Sequence, residues 1–197
     1  MIINHLHKFI FIHIPKTAGT SMTRVLEFGG SEYMSAHRSA RNLNEELGDK
    51  WKRYFTFAFV RNPWERQVSW YRFLNLKARE KEENFDPGTF ENFIKYLDND
   101  WPDAEPISIP YAFGQQQIDF ITDVNGKLPR FVGRFERLSK DWRAICVKLK
   151  MPYRPLPRLR HTGSYDYKLY YKRNPDLIEI VREQFKDDIK RFGYQYE

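Results

Sequence analysis

The sequence of 197 residues is long enough for one well-packed domain and short for two, and its 41% hydrophobic and 17% aromatic content excludes a disordered chain. A net charge of +7 predicts attraction to anions without choosing among nucleotides, nucleic acid, membrane lipids and acidic glycans. Cys146 is the only cysteine, which excludes an intrachain disulfide and a thiolate metal site and gives no reason to expect an oxidising compartment.

Residues 8–14 (KFIFIHI) are a β-branched and aromatic run that stops at Pro15, after which Gly19, Thr20 and Ser21 open a helical pattern through Met22, Val25 and Leu26. The pattern predicts strand, tight loop, helix. The apolar run is broken by His13 and too short for a signal-peptide core or a membrane span, so the expectation is a cytoplasmic protein with no integral membrane segment. A second copy of the plan follows at 54–60 (YFTFAFV), nearly all apolar as suits a strand covered on both faces, and it ends at Arg61. Asn62 is placed to cap the next helix, with Pro63 at its first position and Glu65 where a capping-box carboxylate reaches back. Trp64, Val68, Tyr71 and Leu74 then recur at helical spacing.

Residues 84–110 hold several prolines around one short amphipathic segment (Phe90, Phe93, Ile94, Leu97) and read as an inserted loop and helix. Asn125 and Gly126, between Phe120–Ile121 and Phe131–Val132, predict a β-hairpin. Residues 138–149 predict a helix capped by Ser139, and 152–164 a basic, proline-punctuated loop. Asn174 and Pro175 predict the start of one last helix carrying Leu177, Ile178, Val181, Phe185 and Ile189 to Gly193. Together these predict a single three-layer α/β domain over 1–197, with a mainly parallel central sheet and the insertion at 84–110.

Two constellations point to anion binding. The first is Pro15-Lys16-Thr17-Ala18-Gly19-Thr20-Ser21, between a strand and a helix. Backbone N–H groups at a helix N-terminus converge on one spot, the helix dipole favours negative charge there, and Lys16 adds a full positive charge. Ala18 and Gly19 allow close approach, and Thr17, Thr20 and Ser21 supply hydroxyls. An ordinary strand-to-helix turn would explain the glycine but not the lysine and three hydroxyls beside it. The loop is not a Walker A sequence, because Lys16 precedes Gly19 and no second glycine stands before the lysine. The second constellation is Arg61, at the carboxyl end of the second strand as Lys16 is at the end of the first, with Ser69 about two turns along the following helix. Arg61 offers a bidentate fork to a phosphate. Alone, this pair reads as a surface arginine and a solvated serine.

Taken together, FIHIPKTAGTS followed by FAFVRNPWERQVSWY resembles the two nucleotide-binding segments of sulfotransferases, especially the carbohydrate sulfotransferases of heparan 2-O and chondroitin type. VGRFERL at 132–138, Leu156–Pro157 and the stretch from Asp188 to Tyr194 are similar to later blocks of that family. The resemblance implies a P-loop-like sulfotransferase fold and 3′-phosphoadenosine 5′-phosphosulfate as donor. It implies that Lys16, Thr17, Ala18, Gly19, Thr20 and Ser21 hold the 5′-phosphosulfate, that Arg61 and Ser69 hold the 3′-phosphate, and that Arg160 and Thr162 make a third donor contact. The loop departs from the family's animal members after Thr162, at Gly163 and Tyr165.

Sulfuryl transfer needs in-line geometry and neutralised leaving oxygens more than covalent help, so Lys16 is expected to stabilise the phosphate leaving group. No cluster of His, Asp and Glu has metal-ligand spacing, and no metal is expected. The acceptor hydroxyl needs a base. The resemblance singles out His37, which the residues alone would leave as a solvated loop histidine. It also implies a carbohydrate acceptor, and Arg38, Arg41, Lys77, Arg79, Lys81, Arg158 and Arg160 are candidates to line a groove for an acidic one, although charge runs are usually solvated faces. A nucleotide kinase-like phosphotransferase shares the strand, loop and helix but would bring a Walker lysine and magnesium carboxylates. A non-catalytic module that binds nucleic acid would explain the charge but not two anion sites at strand ends. No nucleic-acid partner is therefore expected.

Overall fold

Strands form where β-branched and aromatic residues run together, and helices where apolar positions recur with caps. In chain order the elements are β1 (Ile2–Asn4), β2 (Phe9–Ile12), α1 (Gly19–Leu26), β3 (Ser31–Tyr33), α2 (Ala40–Leu47), α3 (Asp49–Arg53), β4 (Phe55–Val60), α4 (Pro63–Arg79), α5 (Phe90–Lys95), α6 (Gln117–Ile121), β5 (Phe131–Arg134), α7 (Leu138–Lys148), α8 (Lys168–Tyr171), α9 (Asp176–Gln184) and α10 (Lys186–Phe192). These come from a computed structural model, which describes residues 1–34, 38–80, 88–97, 113–159 and 163–197. The chain forms two compact units, one from 1–61 with 117–160 and the other from 62–116 with 161–197.

The first unit holds a five-stranded sheet in the order β3-β1-β2-β4-β5. β2 pairs with β4 and β4 with β5 in parallel, whereas β1 pairs antiparallel with both β2 and β3. The sheet of the described residues is thus mixed, half parallel by pairing, and not mainly parallel as the sequence led us to expect. The cause is the short link between β1 and β2, since a tight turn can join only antiparallel strands, while the parallel pairs are joined by long helical crossovers. Phe9, Phe11, Phe57 and Phe59 on one face pack with Met22 and Leu26 of α1 and with Trp142, Ile145 and Cys146 of α7. Removing each of these large side chains from water contributes roughly 1.5–3 kcal/mol. Ile10, Ile12, Ala58 and Val60, on the opposite face by the alternation of a strand, are buried as well.

The second unit is helical. Asn62 Oδ1 accepts from the N–H groups of Trp64 at 3.0 Å and Glu65 at 3.3 Å, with Pro63 at the first position, as its sequence predicts. Tyr171 donates its buried hydroxyl to Trp64 O at 3.0 Å, and Trp64 Nε1 donates to Ile178 O at 3.0 Å, which ties α4 to α8 and α9. The helical segment inside the expected insertion is α5. Thr89 caps it, and Phe93 and Ile94 are fully buried, so α5 is part of this unit's core. The rest of 84–110, apart from 88–97, lies outside the described residues.

Three further expectations are corrected. Phe120 and Ile121 end α6, so no hairpin links them to β5; Asn125 and Gly126 do make a turn, with Gly126 at φ 72°, but it leads from a helix into a strand that pairs with β4. Ser139 does not cap α7, because a single 3-10 turn at Phe135–Arg137 runs straight into the helix and leaves no open first turn. The last helix is two, broken at buried Phe185 (φ −113°, ψ 29°). Among the described residues no helix is long and apolar enough to cross a membrane.

Candidate functional site

The parallel register sets Ile12 beside Ala58, so the carboxyl ends of β2 and β4 lie next to one another and the chain beyond each enters the same region. Past β2, Lys16 (φ 68°) and Ala18 (φ 66°) are left-handed while Thr17 between them is not. Such alternation turns successive N–H groups toward one side, forming an anion-binding concavity. Thr17 is buried and donates its hydroxyl to Ile14 O at 2.9 Å. That bond closes the loop on itself, so the part of Thr17 that the loop presents is its main chain. Ala18 O accepts the first helical bond, from Met22 N at 3.0 Å. No side chain caps α1 and no acidic residue stands in its first turn. The N–H groups of Gly19, Thr20 and Ser21 therefore extend the same donor array at the positive end of the helix dipole.

Gly19 has a reason to be glycine that its sequence does not show. A Cβ at this position would lie 1.7 Å from Cδ2 of His13, so the helix start rests directly on the imidazole. The His13 ring stacks on Phe11, with centroids 6.0 Å apart. Ser21 is buried, and its Oγ accepts from Leu159 N at 3.4 Å, which brings the basic loop of the sequence to the first turn of α1. Arg160 and Thr162, next along that loop, lie outside the described residues, as does His37.

Arg61 is 5% exposed. Its Nη1 donates to Lys16 O at 3.1 Å, and its guanidinium carbon lies 3.9 Å from the centroid of Phe135. Its main chain is held by Gln117, whose Oε1 accepts from Arg61 N and whose Nε2 donates to Arg61 O, each at 2.8 Å. The structure thus joins Lys16, Thr17, Ala18, Gly19, Thr20, Ser21 and Arg61 in one place. Ser69 lies in the second unit, buried on α4 about 9 Å along the axis from Pro63. Of the cations considered for a groove, Arg38 pairs with Glu46, and Lys77 stands 3.9 Å from Glu80.

Several buried polar groups were not legible in the sequence. Arg66 is fully buried on α4 and donates to Gln115 O at 3.0 Å; Asp141 accepts from Arg134 N at 2.8 Å and fixes the junction of β5 with α7. Gln117 belongs with them. Arg66 and Gln117 find main-chain partners about fifty residues away in sequence, so no local spacing announces them. Among the described residues no group of three or more His, Cys, Asp and Glu is placed to hold a metal ion.

A strained loop at a helix start, carrying a lysine and bonded to an arginine just past the adjacent parallel strand, is the candidate site of an α/β unit. The chain belongs to the sulfotransferase family, whose model it matches over residues 1–195. It is similar to carbohydrate sulfotransferase 14 of Mus musculus and of Homo sapiens, at 23% identity over 194 residues, which covers 77% of this chain and 47% of each relative. The chain spans about half the length of the curated relatives it matches. No solved structure matches it.

Proposed function

We propose that the protein is a sulfotransferase that moves a sulfuryl group from 3′-phosphoadenosine 5′-phosphosulfate to a hydroxyl, and that the first unit is built on the three-layer, P-loop-like plan. The observation that carries this reading is the Lys16 loop and the Arg61 guanidinium meeting at the ends of β2 and β4. The acceptor oxygen attacks sulfur in line, the bond from sulfur to the 5′-phosphate oxygen breaks, and adenosine 3′,5′-bisphosphate leaves. Lys16 and the N–H groups of 17–21 neutralise the charge that grows on the leaving phosphate. Arg61 addresses the 3′-phosphate. The acceptor's proton passes to a base, for which the family resemblance supplies His37. Ser69, Arg160 and Thr162 are further donor contacts on the same resemblance, each open to test by substitution with alanine. A carbohydrate acceptor is supported by the names of the relatives, which is an argument from kinship.

Calorimetric titration with adenosine 3′,5′-bisphosphate, beside ATP with magnesium, tests the donor class. We expect the bisphosphate to bind and Arg61→Ala to weaken it about a hundredfold, the scale of removing a charge-assisted pair. Lys16→Ala should abolish transfer with the fold retained. Binding of ATP in place of the bisphosphate would replace this reading with a phosphotransferase.

A further inference from the structure

Gln117 opens α6 with its side chain fully buried, a costly place for an amide unless its polar atoms are matched. Both amide atoms bond one residue: Oε1 takes the N–H of Arg61 and Nε2 gives to its carbonyl. The side chain imitates the rung of a sheet at the point where the sheet has run out, because β4 ends at Val60, whose parallel partner is Arg134. That rung fixes the main chain of Arg61 between the strand before it and the helix after it. Its position decides where the guanidinium can reach. There one face meets Phe135 and Nη1 meets Lys16 O. Lys16 O belongs to the same rigid peptide plane as the N–H of Thr17, and in a trans peptide the two point in opposite directions. A bond that fixes the carbonyl therefore aims that N–H away from Arg61, toward the concave side of the loop.

The geometry points to Gln117 as a positioning residue that acts through Arg61 to preset the phosphate loop. The inference rests on the donor-binding reading of that loop, and the ligand need not touch Gln117 at all.

The test is a double-mutant cycle on the affinity for adenosine 3′,5′-bisphosphate, with circular dichroism and thermal unfolding as the check on folding. Gln117→Met fills the same space and removes both bonds; it should raise Kd about tenfold. Arg61→Lys keeps the charge and breaks the guanidinium's contact with Lys16 O; in that background Gln117→Met should change Kd by less than about twofold, since the route it acts through is already cut. A tenfold effect in both backgrounds would make Gln117 an ordinary part of the scaffold and overturn the inference, as would an unchanged Kd in the single variant. If Gln117→Met fails to fold, Phe135→Leu at a half-buried position tests the same route, and unchanged binding there is equally fatal. Failure of the unsubstituted protein to bind the bisphosphate would instead remove the donor reading and this inference with it.

Discussion

Gly19 shows what one missing carbon does. Its sequence context marks it as a small residue near a phosphate, but the structure gives a second cause: the space a Cβ would need is filled by the His13 ring, 1.7 Å away. Gly19→Ala must displace either the imidazole or the first turn of α1. The expected cost is about 1–3 kcal/mol, the range for overpacking a filled site. Urea unfolding should show that cost shrink when His13→Ala is made as well, because the obstacle is then gone; an equal cost in both backgrounds would mean that the strain lies elsewhere. Thr17 makes the complementary point. Its hydroxyl reads as an anion ligand from sequence, yet it closes the loop on Ile14 O. Residue type could be read; the partner it would choose could not.

At the scale of elements, the parts that were legible carry their own punctuation. β2 is an uninterrupted apolar run and β4 is broken only by Thr56, and α4 has its cap, its proline and its stripe written in order. The hairpin expectation failed because Asn125–Gly126 is a local signal whose neighbours are not local: β5 belongs beside β4, and two apolar residues before the turn suit a helix end as well as a strand. What holds this turn is Asp123, whose carboxylate accepts from the N–H groups of Asn125 at 2.8 Å and Lys127 at 2.9 Å and from the indole of Trp51 at 3.2 Å. Burial pushes its carboxyl up, but the Lys127 and Asn125 N–H groups, the Trp51 indole and the Lys127 charge outweigh that and hold it below its ordinary value of 3.8. A carboxyl depressed in the folded state stabilises fully above its unfolded value and loses that contribution as pH falls through the folded one. Asp123→Asn should therefore lower stability by about 1–3 kcal/mol at pH 7, with the gap to the unsubstituted protein narrowing below about pH 4. A gap that stays constant from pH 7 to pH 3 in urea unfolding would show that the charge of Asp123 contributes nothing.

For the whole molecule, family membership covers nearly all of the chain, while the curated relatives are about twice as long. Binding to the folded state alone stabilises by about 2.7 kcal/mol at a hundredfold excess over Kd, and at this chain length each kcal/mol shifts Tm by about 2–4 °C. Adenosine 3′,5′-bisphosphate should accordingly raise Tm by about 5–10 °C, and the same ligand should leave Lys16→Ala nearly unshifted. A shift of equal size in that variant would place the ligand away from the loop. The sheet's mixed pairing also orders events in time. β1 and β2 meet within a single short hairpin, Ile2 against Phe11, whereas Phe57 has to find Phe131 far along the chain. Closing long loops costs entropy before any contact repays it, so distant pairings come late. Lys16 and Arg61 stand at the ends of β2 and β4, and Gln117 and Phe135 arrive with the segment that carries β5. A chain still emerging from the ribosome thus holds the lysine loop long before it holds Gln117 and Phe135, and on the donor-binding reading proposed above it can take nucleotide only once that later segment has been made.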